Sequence, residues 1–255
     1  MRHDVVSQAP AEGTDRALPG GRTAFYRHPL PVRLTHWVNA LCLLVLLMSG
    51  LQILNAHPAL YWGDISTFDH PWMSFGSGDA PAFPGWITLP GYQDLAGGRS
   101  WHFFFAWLFV LNGLAYLAYA LASGRVGRVL APDREQLRHI GRSLADHLRL
   151  RFPQGAAARR YNVLQKLSYL VVVLGLLPLM LLTGLTMSPG MDARLHFLTA
   201  LFGGRQSARS VHFFSAAALV AFFLIHILAV LAAGPLNEVR SMITGWFVIR
   251  SEERR

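Results

Sequence analysis

The sequence has little cysteine and few charged residues, and each shortage excludes some classes of protein. Cys42 is the single cysteine among 255 residues, which excludes a disulfide framework and a thiolate-rich metal site. Charged residues make up only 15% of the chain and hydrophobic residues 53%, with a mean hydropathy of +0.33. Because soluble domains carry more charge than this, we expect a membrane protein.

Charged residues are almost absent from four apolar stretches. Each stretch runs for roughly twenty residues, enough to cross ~30 Å of hydrocarbon as a helix. The sequence therefore predicts an all-α fold, an integral membrane four-helix bundle over residues 30–233. The predicted helices cover residues 33–56, 100–122, 163–188 and 209–233.

Basic residues are distributed unevenly around these helices. If the N-terminus is cytoplasmic, 19 of the 23 Lys and Arg residues lie in or beside inner segments, which is the positive-inside pattern. The predicted inner segments are the tail 1–29, the loop 123–162 and the tail 234–255. The residues left outside are Arg99, Arg194, Arg205 and Arg209. Both termini are thus predicted to be cytoplasmic, and the net charge of +9 matches membrane topology and not nucleic acid binding.

The connecting segments differ in character. The outer loop 57–98 holds five prolines and three tryptophans, which predicts an irregular segment, either an interfacial cap or a docking face for a partner protein. In the inner loop, DREQLRHIGRSLADHLRLRF predicts a basic amphipathic helix attracted to anionic lipid. The apolar MITGWFVI near the C-terminus is too short to span and is expected at the inner interface. Pro178 is expected to kink the third helix.

Four of the eleven histidines lie within the apolar helices or at their first turn, where ionisable groups are costly and mark function. His212 and His226 are fourteen residues apart on one helix, so they share a face within about 40° and differ in depth by roughly 21 Å. Histidines on different helices that are predicted to lie at the same depth can form pairs. This pairs His102 with His212 near the outer surface and His36 with His226 near the inner one.

Each predicted pair joins two helices, and neutral imidazoles can bind the iron of a planar porphyrin from its two faces. The sequence therefore predicts two haem groups, with all four histidines as iron ligands. A zinc site would instead need its ligands clustered at one depth. Covalent attachment of haem is excluded because no Cys-x-x-Cys-His motif occurs.

Arginines and glycines accompany these histidines. Arg33, Arg99 and Arg209 each precede a histidine by three positions, one turn closer to water, where a guanidinium can bind a haem propionate. The alternative is that they are ordinary interface anchors. Small residues could make room for a porphyrin or could simply mark helix contacts. These are Gly50, Gly113 and Gly184.

The segments that carry the histidines resemble a known family. They are RLTHWVNA, GRSWHFFFAW, RRYNVLQKLSYL, LPLMLLTGLTMSPG and GGRQSARSVHFFSAAALVAFFLIH. Over nearly all of residues 26–249 the chain resembles the bacterial di-haem cytochrome b family (cytochrome b561), which includes membrane subunits of Ni-Fe hydrogenase, formate dehydrogenase and thiosulfate reductase. The thiosulfate-reductase type is the most similar of these.

The resemblance implies a multi-pass protein of the bacterial inner membrane with two non-covalent haem b groups in the pairing given above. It also implies a quinone site near the inner haem, with Asn162 as the candidate contact and Gln165 and Lys166 nearby, although Asn162 could equally cap a helix. The implied partner is a periplasmic oxidoreductase dependent on molybdopterin. The outer loop is longer than in the hydrogenase and formate dehydrogenase subunits, which leaves the partner open.

Three functions follow from this pattern. The first is an electron-transfer subunit that exchanges electrons with quinone and with a periplasmic partner. The second is a stand-alone cytochrome b that oxidises a small reductant such as superoxide with quinone as acceptor. The third, a haem-free transporter or scaffold with proton-relaying histidines, is disfavoured because every Asp and Glu lies outside the four apolar stretches.

Overall fold

The computed structural model describes residues 13–76, 80–127, 132, 134–138, 140–141 and 163–250. Four helices in these ranges are long and apolar enough to cross a membrane. They are the first span, Leu30–Asn55 (α1), the second span, Leu95–Ala122 (α2), the third span, Val163–Met187, and the fourth span, Arg205–Ala233 (α8). Most of their side chains are not buried within the chain, as expected for surfaces that face lipid. The predicted all-α membrane fold is confirmed.

The third span is not a uniform helix. It consists of an α-helix at Val163–Leu170 (α4), a π-helical segment at Val171–Leu176 and a second α-helix at Leu177–Met187 (α5). Pro178, at the start of α5, lacks the N–H that would continue the α-helical hydrogen bonds of the preceding turn. The π-helical segment ends two residues before this proline.

The segment between α1 and α2, predicted to lie outside, is largely irregular. Two short strands, Ala59–Leu60 (β3) and Met73–Ser74 (β4), pair antiparallel, and a 3₁₀ turn lies at Gly85–Ile87. The side chain of Asn55 bonds both backbone groups of Phe83, at 2.9 and 2.8 Å. These side-chain bonds hold the irregular segment against the end of α1.

The N-terminal side of α8 is also tied to this segment. The carbonyl of Gly63 accepts from the backbone N–H groups of Gln206 and Ser207, at 2.9 and 3.2 Å. The Gly63 N–H in turn donates to the Ser207 hydroxyl at 2.8 Å. Two of the donors that every helix N-terminus leaves unpaired are thereby satisfied by the segment between α1 and α2.

The two tails form a small sheet that the sequence analysis did not predict. Asp15–Leu18 (β1) and Arg22–Tyr26 (β2) pair antiparallel, and β2 pairs with Trp246–Arg250 (β5). Phe25 packs on Phe247 and Tyr26 on Trp246, with ring centroids 5.5 and 5.3 Å apart. The segment MITGWFVI thus divides between this strand and the end of the preceding helix.

Short helices complete the described part of the chain. Arg134–Arg138 (α3) falls within the predicted basic amphipathic helix, and residues 142–162 lie outside the described ranges. Between the third and fourth spans lie Pro189–Asp192 (α6) and His196–Leu201 (α7). Pro235–Thr244 (α9) follows the fourth span after Gly234, whose φ of 110° is left-handed.

The contacts divide the chain into two compact units. Unit 1 comprises residues 1–37, 115–167 and 226–255, and unit 2 comprises residues 38–114 and 168–225. The predicted inner histidine pair belongs to unit 1 and the predicted outer pair to unit 2. Each unit therefore contains one predicted pair.

Candidate functional site

The two histidines of unit 2 face each other from different helices. His102 lies near the start of α2 and His212 in the third turn of α8. Their ring centroids are 6.3 Å apart, with 60° between the ring planes. The structure thus brings together the pair that depth matching predicts.

A hydroxyl group lies against each of these rings. The Nδ1 of His102 is 3.0 Å from the hydroxyl of Ser49 on α1, and the Nδ1 of His212 is 2.9 Å from that of Thr183 on α5. Both hydroxyls also donate to the backbone carbonyl four residues earlier in their own helix, at 2.6 Å for Ser49 and 2.7 Å for Thr183. Neither side chain is exposed.

A glycine follows each hydroxyl residue and lies beside the same ring. A Cβ built on Gly50 would lie 3.5 Å from Cε1 of His102, and one built on Gly184 would lie 3.5 Å from Cε1 of His212. Gly113 has no atom within 4 Å of its Cβ position. Two of the three glycines singled out in the sequence therefore lie at the histidine rings, and Gly113 does not.

Unit 1 contains a second histidine pair with similar geometry. His36, in the second turn of α1, and His226 on α8 have ring centroids 6.3 Å apart and planes 63° apart. The Trp37 ring meets the His36 ring edge-on, and its Nε1 donates to the carbonyl of Met242 at 3.0 Å. The tryptophan thus connects the histidine's helix to the end of α9.

The spacing of both pairs suits a metal atom shared by two imidazoles. A metal–imidazole bond of about 2.0 Å and roughly 1 Å from that nitrogen to the ring centre, counted once for each ring, add to about 6 Å. In each pair, two imidazoles from different helices would hold the iron of a haem. Within the described ranges no group of three or more His, Cys, Asp and Glu side chains could hold a metal ion by itself.

The three arginines predicted at propionates have different surroundings. Arg33 donates through Nη1 to the carbonyl of Ile243, while its buried Nε meets no acceptor. Arg99 is exposed, with its guanidinium 5.7 Å from the centre of the Phe103 ring. Arg209 is half-buried and donates through Nη2 to the carbonyl of His57. Each lies one turn from its histidine on the same helix.

Of the three residues predicted at the quinone site, two lie within the described ranges. Asn162 lies outside the described residues. Gln165 is exposed and Lys166 half-buried, both on α4 and both in unit 1 with the inner histidine pair.

Within the described ranges, three ionisable groups outside the spans have shifted pKa values. Burial, with the nearby positive charges of Arg27 and Arg125, lowers the pKa of His28 to about 3, so this ring is neutral at physiological pH. Burial and the charge of Arg209 lower the pKa of His57. Burial raises the pKa of Glu238, an effect opposed by its ion pair with Arg27 at 3.5 Å.

Sequence reasoning missed the two hydroxyl residues at the His102–His212 pair. A signal was present, because Ser49 and Gly50 lie in LMSGL and Thr183 and Gly184 lie in LLTGL. The same pattern of leucine, any residue, hydroxyl, glycine and leucine thus occurs on the two helices that flank the histidine rings.

Comparison with known proteins identifies the family. The model of the prokaryotic cytochrome b561 family matches residues 27–245. The chain is 33% identical over 219 residues to a candidate subunit, YedZ1, of a protein-methionine-sulfoxide reductase from Azospira oryzae, covering 86% of this chain and 96% of that protein. It is 26% identical over 254 residues to a candidate B-type cytochrome subunit of a Ni/Fe-hydrogenase from Cupriavidus necator, covering 93% and 94%. No solved structure matches. The chain therefore belongs to the prokaryotic cytochrome b561 family, whose members are multi-pass inner-membrane electron-transfer proteins that bind haem b.

Proposed function

We propose that this chain holds two haem b groups and passes electrons between quinone and an oxidoreductase docked on its outer side. One haem binds between His36 and His226 and the other between His102 and His212. The observation that carries the proposal is the repeated facing pair, with ring centroids 6.3 Å apart in each unit. A haem bound there supplies one-electron chemistry, tuned by its ligands and their surroundings.

The surroundings of the pairs support this assignment. Imidazole is a common haem ligand, and both Gly50 and Gly184 keep the space beside their histidine ring free of a side chain. Arg33, Arg99 and Arg209 are proposed to bind the haem propionates, because guanidinium groups form charge-assisted bonds with carboxylates. The buried Nε of Arg33 is a donor suited to this role.

Quinone is proposed to react near the inner pair. Gln165 and Lys166 lie in the same unit as His36 and His226, and amide and ammonium groups donate hydrogen bonds to quinone carbonyls. Asn162 is proposed as the third contact from its position in the YNxxQK segment.

The partner is proposed to be an oxidoreductase, since the relatives above are named as subunits of a reductase and of a hydrogenase. The family resemblance favours a molybdopterin enzyme. Turnover by the purified chain alone, with superoxide as reductant and quinone as acceptor, would instead establish the stand-alone function.

The haem assignment is tested by haem content. Each of His36, His102, His212 and His226 is changed to alanine, and haem per chain is measured from reduced-minus-oxidised spectra of the purified protein. We expect about half the wild-type haem in each variant, because a metal ligand is lost from one pair only. His70→Ala, at an exposed outer histidine, should retain the wild-type content.

Two results would contradict the proposal. One is a wild-type protein without b-type absorption bands. The other is a full haem complement in any of the four ligand variants.

A further inference from the structure

We infer that Ser49 and Thr183 are positioning residues that hold His102 and His212 with the proton on Nδ1, and so set the affinity and reduction potential of the haem in that pair. The inference rests on the proposed function. It assigns a role to two side chains that would not themselves touch the iron.

The direction of the hydrogen bonds follows from counting protons. A hydroxyl has one proton to donate. The carbonyl of Val45 lies 2.6 Å from the Ser49 oxygen, and the carbonyl of Leu179 lies 2.7 Å from the Thr183 oxygen. With that proton donated to the carbonyl, the oxygen can only accept from the histidine, so Nδ1 carries the hydrogen.

Burial makes this arrangement stable. Ser49 and Thr183 both have 0% exposure, so water does not compete for either hydroxyl. In a low-dielectric interior an unmade hydrogen bond is costly, which favours the tautomer that satisfies hydroxyl, carbonyl and imidazole together. The same set of three groups occurs at both rings, on α1 for His102 and on α5 for His212.

This tautomer leaves Nε2 as the ligand atom. Each Nε2 then offers a lone pair, and each Nδ1–H is held by an acceptor, the arrangement typical of metal-bound histidine. A hydrogen bond from Nδ1–H makes the imidazole more basic, which favours ferric over ferrous iron. The two hydroxyls should therefore strengthen haem binding and lower the reduction potential of this haem.

The test compares variants that delete the hydroxyl with variants that keep it. Ser49→Ala and Thr183→Val remove it, and Ser49→Thr and Thr183→Ser retain it as matched controls. Redox titration and electron paramagnetic resonance of the purified holoprotein report on each haem separately.

We expect Ser49→Ala and Thr183→Val to shift the potential of one haem to more positive values and change its resonance signal, with haem affinity reduced about 10- to 100-fold. The other haem and both matched controls should keep wild-type values. If Ser49→Ala loses the haem altogether, Ser49→Cys, whose sulfur is a weaker acceptor than the serine oxygen, should keep the haem and shift its potential to a more positive value.

Unchanged potentials and signals in both deletion variants would overturn the inference while leaving the two-haem proposal standing. Equal shifts in the matched controls would also overturn it, because they would show an effect of packing and not of the hydroxyl. A wild-type chain without haem would refute the proposed function itself.

Discussion

His28 shows how burial alters a single residue outside the spans. The side chain is 6% exposed, and its Nδ1 is buried without a hydrogen-bond partner. Burial is the main cause of its low pKa of about 3, and the charges of Arg27, Arg125 and Arg33 add to it. The folded protein therefore keeps His28 neutral where the unfolded chain, with an ordinary pKa of 6.5, would protonate it.

This difference makes folding sensitive to acid. Above pH 6.5 neither state binds the proton, and His28 does not affect the pH dependence of stability. As the pH falls from 6.5 towards 3, only the unfolded chain gains the proton, so stability falls, by about 2 kcal/mol at pH 5. We expect His28→Gln, which cannot titrate, to reduce the loss of melting temperature between pH 7.5 and pH 5.

Thermal melts followed by far-UV circular dichroism in detergent measure this effect. His70→Gln removes an exposed outer histidine and should melt like the wild type at both pH values. If His28→Gln loses as much stability on acidification as the wild type, His28 does not govern this response.

For single residues, the occurrence of an ionisable group within an apolar stretch was a useful indicator of a functional site. A histidine in a membrane span is rare enough to mark function, and depth alone predicted which rings would face each other. Serine and threonine are less informative, because a hydroxyl in a helix can satisfy itself on its own backbone carbonyl. Ser49 and Thr183 do this and also meet a histidine, a second contact that requires a neighbouring helix to be placed.

Among the elements, the spans were predicted to within one residue at their C-terminal ends but less well at their N-terminal starts. The second span begins at Leu95 and the fourth at Arg205, before their predicted starts at 100 and 209. Their first turns contain glycine, serine and arginine, which lower the local hydropathy although the backbone is already helical. Hydrophobicity detects the hydrocarbon-crossing part of a helix and not its polar first turns.

The tail sheet was missed because its strands are short and because β5 is separated from β2 by almost the whole chain. A local signal did exist: Pro19, Gly20 and Gly21 join β1 to β2, and both glycines have left-handed φ values. Nothing local indicates that β2 would pair with β5. At the edge of β5, Asn237 of α9 bonds both backbone groups of Val248, at 2.8 and 3.0 Å.

Gly245, between α9 and β5, packs tightly against Tyr26 of β2. Its φ is 88°, and an added Cβ would overlap the Tyr26 ring and lie 2.9 Å from the carbonyl of His28. We expect Gly245→Ala to destabilise the sheet by about 2–3 kcal/mol through strain and overlap combined. Faster hydrogen exchange in residues 22–26 and 246–250, measured by mass spectrometry, would show it.

Gly234→Ala provides the matched control. Gly234 also has a left-handed φ, of 110°, but no atom lies within 4 Å of its Cβ position. Gly234→Ala should therefore introduce backbone strain without overlap, and we expect this to destabilise the protein by about 1 kcal/mol. Equal exchange rates in the two variants would show that overlap at Gly245 is unimportant.

For the whole molecule, the distribution of charge predicts orientation in the membrane. The outer segment 57–98 contains four aspartates and neither lysine nor arginine, whereas most basic residues lie on the predicted inner side. Arg16 and Thr67 are exposed positions on the two predicted sides.

This orientation can be tested with single cysteines in a Cys42→Ala background. We expect a membrane-impermeant maleimide to label Thr67→Cys in intact spheroplasts, since residues 57–98 are predicted to face the medium. Arg16→Cys should be labelled only after the membrane is broken. Labelling of Arg16→Cys in intact spheroplasts would reverse the predicted topology.

The pairing of β2 with β5 has a consequence for biosynthesis. β2 precedes the first span and β5 follows the last, so β2 emerges from the ribosome long before its partner strand is translated. Until then the nascent chain exposes an unpaired strand edge, the kind of surface that recruits chaperones or promotes aggregation. Only a chain translated through β5 covers that edge, so a product terminated before β5 keeps an exposed strand edge that quality control can recognise.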